Sequence, residues 1–266
     1  MNSKFEQLKN YLNDLKKQGL CLAFSGGIDS TLLLYLCRNM GILAITFNSN
    51  FQTEEEIELT KKLCEKYGVK QVIIEKDVFE NPIILNNPKD RCYHCKKFLF
   101  KNAVKIAQDN GFQYIIDGTN FDDLGVYRPG RKALKELGII SPFAKFEITK
   151  NEIRDFAKEC GIEIFSKPSS PCLATRFPYG TALTKEKLEI VEKGEQVLKK
   201  AGFECCRLRL HGDIARIEVA PEKIAELIEK KDFVVEELKK LGILYVTADL
   251  EGFRSGSMDL NIEKET

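Results

Sequence analysis

Residues 20–40 read LCLAFSGGIDSTLLLYLCRNM. An apolar run, Leu20 to Phe24, meets Ser25-Gly26-Gly27-Ile28-Asp29-Ser30 and gives way to a second apolar stretch, Ser30 to Met40. The first run has the length of a buried strand and the second that of a buried helix. The two glycines between them let the backbone turn sharply and lie close against a ligand. A helix starting at Ser30 aims unsatisfied N–H groups and the positive end of its dipole at that turn, which suits an anion. Ser25 and Ser30 add hydroxyl donors. Asp29 would repel a phosphate unless a cation lay between them, so Mg²⁺ is its natural companion. The stretch lacks the Gly-Lys-Ser/Thr of a Walker A loop and the spacing of G-x-G-x-x-G. A plain strand-to-helix turn would not need two hydroxyls, an acid and two glycines in six residues.

Outward from the loop, apolar runs alternate with helical patterns. Strands are expected at Ile42 to Phe47, Val72 to Ile74 and Tyr114 to Ile116, with helices at Thr53 to Tyr67, Lys96 to Asp109 and Asn151 to Cys160. A further strand is expected at Glu163 to Phe165. Apolar strands joined by helices predict an α/β fold, a doubly wound parallel sheet covered on both faces. The texture then changes. Lys167 to Gly180 (KPSSPCLATRFPYG) carries three prolines and reads as a stiff loop. Beyond it come a helix (Lys185 to Ala201), two alternating strands (CRLRLH and ARIEV) joined by Gly212-Asp213, helices at Glu222 to Glu229 and Val234 to Leu241, and a strand at Leu244 to Ala248. This predicts a smaller C-terminal α+β domain, with domains at 1–170 and 171–266.

The chain has 266 residues, 43% of them hydrophobic and 30% charged, enough apolar material for ordered cores. Forty-one Lys and Arg against 40 Asp and Glu leave a formal charge of +1, against a protein that coats nucleic acid electrostatically. No apolar run approaches the roughly 20 residues of a membrane span. The first 18 residues read as an amphipathic polar helix without the apolar core of a signal peptide. Nine cysteines in such a chain are expected to be reduced cytoplasmic thiols, ligands or catalysts rather than a disulfide framework. Two histidines exclude a polyhistidine metal site.

Cys92-Tyr93-His94-Cys95 opens a helix and suits a zinc half-site, an iron–sulfur half-site or a redox pair. A zinc ribbon needs a second pair, and Cys205 and Cys206 are adjacent on a strand. Cys172 lies in the proline-stiffened loop with Arg176 one helical turn ahead, where a guanidinium would favour the thiolate. Cys21, Cys37, Cys64 and Cys160 sit beside apolar residues and read as small core residues, as do Cys205 and Cys206.

SGGIDS after a buried strand resembles the PP-loop of the ATP pyrophosphatases, which implies cleavage of ATP between its α and β phosphates and transfer of AMP to a substrate oxygen. Together with RCYHCK, DGTNFDDLGVYRPG and PCLATRFPYG, the pattern resembles the LarE family of ATP-dependent sulfur transferases over most of the chain. The resemblance implies a pyridinium-3,5-biscarboxylic acid mononucleotide substrate, activated as an acyl-adenylate and then given sulfur in place of oxygen, on the way to the nickel-pincer nucleotide of lactate racemase. It implies ATP contacts at Ser25, Gly26, Gly27, Asp29 and Ser30, at Gly118, Thr119 and Asn120 after the fourth strand, and at Phe47, where adenine is seated. Asp122, Asp123 and Arg128 follow in that loop, where a buried arginine would suit a phosphate or a carboxylate. The family has two chemistries. In one, a lone cysteine at the position of Cys172 gives up its sulfur and becomes dehydroalanine. In the other, three cysteines hold a [4Fe–4S] cluster whose open iron carries sulfide. Cys92, Cys95 and Cys172 match the second pattern, the one expected here. Arg207, Arg209 and His211 share one strand face, with Arg216 and Glu218 on the next strand. Alone this is a solvated basic face; beside a nucleotide substrate, Arg207 and Arg209, with Arg176, are expected to grip its phosphate. A homo-oligomer is expected. The rivals are a cluster-bearing tRNA thiolase, an amidating synthetase of the same fold, and a zinc-stabilised nucleotide-binding module without catalysis.

Overall fold

The computed structural model describes residues 3–163 and 171–254. The strand expected at Glu163 to Phe165, the start of the proline-rich loop and the tail after Met258 fall wholly or mostly outside them. The chain divides into two compact units, Met1–Ile84 with Lys89–Ser170, and Leu85–Pro88 with Pro171–Thr266.

The first unit contains α1 (Ser3–Lys16), β1 (Leu20–Ala23), α2 (Ile28–Cys37), β2 (Leu43–Ser49), α3 (Glu54–Lys66), β3 (Lys70–Lys76), the short turn α4 (Pro82–Leu85), α5 (Arg91–Asp109), β4 (Tyr114–Ile116), α6 (Gly130–Glu136), α7 (Pro142–Lys145) and α8 (Lys150–Glu159). The four strands pair in parallel in the order β3-β2-β1-β4. Strand alternation divides the core between two faces. Leu20, Leu22 and Ala44 pack with Phe5, Leu8, Leu32 and Ile153, under α1, α2 and α8. Cys21, Leu43 and Ile45 pack with Leu99, Phe100 and Ala103 of α5. Helices therefore cover both faces, as the apolar strand runs require. Threonine begins two of these helices: Thr53 and Thr149 each form a capping box, with Glu56 and Glu152. The strand order reverses between β1 and β4, so the turns after these neighbouring strands emerge at the same sheet edge. In open α/β sheets that crevice is the usual ligand site.

In the second unit, α9 (Lys185–Lys200) is followed by β5 (Cys206–His211), β6 (Ile214–Val219), α10 (Ile224–Glu229), α11 (Lys231–Lys240) and β7 (Tyr245–Ala248). β5 and β6 form the expected hairpin, with Gly212 at φ +60°, and β7 joins β6 in parallel. The sequence gives no hint that Leu85–Pro88 belongs with this unit. Buried Asn87, at φ +51°, is the reason: its side-chain amide donates to the carbonyl of Pro178 (2.8 Å), while its own carbonyl accepts from the Gly180 N–H (2.8 Å). No helix among the described residues is long and apolar enough to cross a membrane.

Candidate functional site

The loop Ser25–Ser30 leaves β1 and enters α2. Gly26 takes φ +71°, a conformation an L side chain resists. Ser30 Oγ donates to the Gly27 carbonyl (3.1 Å), lies 3.2 Å from Ser25 Oγ and accepts from the Ser25 N–H (3.3 Å). The turn is thereby pinned from inside. Gly118, just beyond β4, comes up against it: a Cβ there would stand 3.0 Å from the Ser30 nitrogen and 3.1 Å from Asp29 Cβ. The two glycine turns at the switch point therefore touch, and a side chain at Gly118 would force one of them to give way.

Around this turn, Asp117 is buried and accepts from Thr119 Oγ1 and Ser141 Oγ, both at 2.6 Å, with Lys96 Nζ at 3.8 Å. Buried Asn120 exchanges hydrogen bonds with Asp123. Asp29 pairs through Oδ2 with Lys150 Nζ at 2.6 Å, while Oδ1 is buried without a hydrogen-bond partner. Burial raises the Asp29 carboxyl above its usual range, with Lys150 acting the other way. Thr31 Oγ1, one residue beyond the loop, is also buried without a hydrogen-bond partner. Unpaired buried oxygens, a glycine-lined cradle and a helix start fit a nucleotide phosphate with a hard cation. Phe47, near the end of β2, packs its ring on Phe100 with centroids 5.0 Å apart. Lys150 was not singled out by the sequence. It lies 121 positions from Asp29, and its only local signal is the Thr149-Lys150-Asn151-Glu152 capping pattern.

The C-x-x-C lies in the first turns of α5, which begins at Arg91, five residues earlier than expected. Cys92 and Cys95 are both half-buried, and the Arg91 guanidinium approaches Cys92 Sγ at 3.9 Å. His94 is turned to Asp90 (3.1 Å). In the second unit, half-buried Cys172 starts the single turn Leu173–Arg176. Its carbonyl accepts from Thr175 N–H (3.0 Å), Thr175 Oγ1 (2.9 Å) and Arg176 Nη1 (3.3 Å), so its backbone is held from three sides. Burial pushes the thiols of Cys21, Cys37, Cys64 and Cys206 up to about 12, in keeping with core residues. A cubane with one open iron needs three cysteine ligands. Among the described residues, no group of three or more His, Cys, Asp or Glu stands together so as to hold a metal ion.

The arginines singled out in the sequence are engaged by nearby carboxylates and carbonyls. Arg176 donates to the Pro171 and Cys172 carbonyls and pairs with Glu195 through Nε (2.8 Å) and Nη2 (3.1 Å). Arg209 is likewise held by Glu218 at 2.9 Å through both Nε and Nη2, so its guanidinium is not free. Nor is this strand face solvated, because Arg176, Arg207, Arg209, Glu195 and Glu218 are all buried. Arg207 donates to the Cys206 carbonyl (2.6 Å) and lies over the Phe253 ring. Arg216 joins Glu218 (3.0 Å) and Asp249 (3.5 Å). Arg128 is largely exposed and pairs with Asp123 (3.0 Å).

A parallel sheet with a Ser-Gly-Gly-x-Asp-Ser turn at its switch point defines a nucleotide-binding unit of the PP-loop class. A family model described as NAD synthase matches residues 1–87, the span containing that turn. The chain is 37% identical over 257 residues to the pyridinium-3,5-bisthiocarboxylic acid mononucleotide synthase of Lactiplantibacillus plantarum, covering 95% of this chain and 92% of that one. It is 36% identical to an uncharacterized protein of Synechocystis over 99% of this chain and all of that one. It is 26% identical to the argininosuccinate synthase of Rattus norvegicus, over 58% of this chain and 42% of that one. The chain belongs to the LarE family, that of the Lactiplantibacillus plantarum synthase.

Proposed function

We propose that the protein uses ATP to insert sulfur into a carboxylate of pyridinium-3,5-biscarboxylic acid mononucleotide, a step in making the nickel-pincer nucleotide of lactate racemase. The observation that carries this is the Ser25–Ser30 turn, closed by Gly118 and bearing an Asp29 oxygen with no partner, in a chain related over nearly its whole length to a synthase of that name. The turn and the start of α2 hold the pyrophosphate portion of ATP, and Asp29 holds Mg²⁺. A substrate carboxylate oxygen attacks the α phosphorus; its bond to the bridging oxygen breaks, and pyrophosphate departs. Sulfur then adds to the activated carbonyl carbon, and AMP leaves with the former carboxylate oxygen. Adenylation is needed because an oxide is a poor leaving group and a phosphate monoester is a good one. The buried arginine network of the second unit carries four guanidiniums, from Arg176, Arg207, Arg209 and Arg216, against three carboxylates, from Glu195, Glu218 and Asp249. We assign the substrate's phosphate to this positive excess as a whole, not to any one arginine.

In our reading the sulfur is carried by a [4Fe–4S] cluster on Cys92, Cys95 and Cys172. Cysteine ligation leaving one iron open would supply a place for sulfide. Two thiols one helical turn apart, beside the Arg91 charge, support the pair as thiolate ligands. Cys172 would be the third ligand. A second reading rests on Cys172 alone, at the start of the turn Leu173–Arg176: its thiolate attacks the acyl-adenylate, AMP leaves, and the sulfur departs with the product by elimination, leaving dehydroalanine. Pyrophosphate release is the test of the shared part. It should require ATP, Mg²⁺ and the biscarboxylate together and survive Cys172→Ser, while sulfur incorporation disappears. Release with tRNA instead of the mononucleotide would move the protein to the thiolase class, and sulfur-independent amide formation would move it to the synthetases.

A further inference from the structure

Lys150 is the first residue of α8, and several contacts fix where its side chain starts. Its backbone N–H donates to Asp122 Oδ2 (2.7 Å), and the neighbouring Thr149–Glu152 capping box sets the helix entry. From α1, Lys4 Nζ reaches Glu152 (3.0 Å) and the Glu147 carbonyl (2.8 Å), clamping the same turn from outside. The Lys150 ammonium ends on Asp29 Oδ2, and each side chain is only about a quarter exposed (23% and 22%). The other charged groups near this carboxylate are acidic Asp123 and, through the Lys150 backbone, Asp122. Without the lysine, an incoming polyphosphate would meet carboxylates across a short gap. The lysine also uses only one Asp29 oxygen, leaving Oδ1 buried and unpaired, a costly arrangement unless another partner is to arrive.

We infer that Lys150 is the resident counter-ion of the nucleotide loop: it neutralises Asp29 while the loop is empty and moves to a phosphate oxygen when ATP binds, surrendering the carboxylate to the divalent cation. The inference rests on the reading that this loop takes ATP. It makes cation and phosphate binding respond oppositely to loss of one side chain, which a merely structural ion pair would not. Lysine suits the exchange because its ammonium is a compact charge on a flexible stem and can swing between two anions.

Equilibrium binding of Mn²⁺ alone, of inorganic pyrophosphate alone and of Mg·ATP decides it. Lys150→Met should bind Mn²⁺ without nucleotide about tenfold more tightly than wild type, and pyrophosphate about tenfold more weakly, the size expected for one charge-assisted contact. Lys150→Arg should keep pyrophosphate binding near wild type. Should Lys150→Met not fold, Asp29→Asn makes the same test from the other side. It frees the ammonium, so metal-free pyrophosphate should bind more tightly, and the gain should vanish in Asp29→Asn/Lys150→Gln if the freed ammonium, rather than the lost carboxylate, causes it. A folded Lys150→Met that binds both probes like wild type, or loses both together, overturns the inference, as does an Asp29→Asn gain that persists in the double variant. A wild-type protein that binds neither pyrophosphate nor Mg·ATP overturns the nucleotide reading itself.

Discussion

Gly118 shows how much can rest on one missing Cβ. A methyl group there meets the Ser30 nitrogen at 3.0 Å, and a backbone neighbour cannot swing aside as a side chain can. Gly118→Ala should push the turn after β4 away from the phosphate loop, weakening Mg·ATP binding by about tenfold while moving the melting temperature little. Isothermal titration alongside a thermal melt separates the two effects; unchanged ATP affinity would contradict the cradle. Glu152 works at a distance from the chemistry. Burial alone would raise its carboxyl, but the Thr149 backbone and the Lys4 ammonium hold it down at about 2, against an ordinary value of 4.5. Its folded-state value is depressed, so its contribution to stability is complete above pH 4.5 and drains away as the pH falls toward 2. Over that window the melting temperature of wild type should fall more steeply than that of Glu152→Gln. Equal slopes would remove the clamp on α8.

Among the elements, the β5–β6 hairpin marks where sequence reading stopped short. Its period-two pattern of Arg207, Arg209 and His211 was legible, as was Glu218 as a partner, and the register pairs Arg207 with Glu218 and Arg209 with Arg216. Its burial was not legible, because alternating arginines read as a wet face unless carboxylates from elsewhere are known to meet them. Glu195, on the helix before, supplies one such carboxylate. Glu218 is fully buried and accepts from two arginines. Removing it leaves uncompensated charge, so Glu218→Gln should cost about 3–5 kcal/mol in urea denaturation. A loss below about 1 kcal/mol would mean that solvent reaches the network. The parallel sheet and phosphate loop were read almost whole, since β1, the turn and α2 are contiguous in the chain and each carries its own periodicity. Lys150 escaped because nothing local distinguishes it from a solvated lysine at a helix start. Asn87 escaped because its partners lie about 90 residues away.

At the scale of the whole molecule, the family relationship spans both units. The first unit carries the nucleotide turn and the Cys92–Cys95 pair; the second carries Cys172 and the arginine network. In the proposed function adenylation is separable from the fate of sulfur, so the two sulfur chemistries share every step up to the acyl-adenylate and part only afterwards. The mass of the protein itself therefore tests the account most directly. Iron- and sulfide-reconstituted protein, held anaerobically with ATP, Mg²⁺ and pyridinium-3,5-biscarboxylic acid mononucleotide, should yield a product with sulfur in place of oxygen. The polypeptide should keep its full mass. A polypeptide lighter by one H₂S, with the loss mapped to residue 172, would contradict cluster-borne sulfur and make that cysteine the donor.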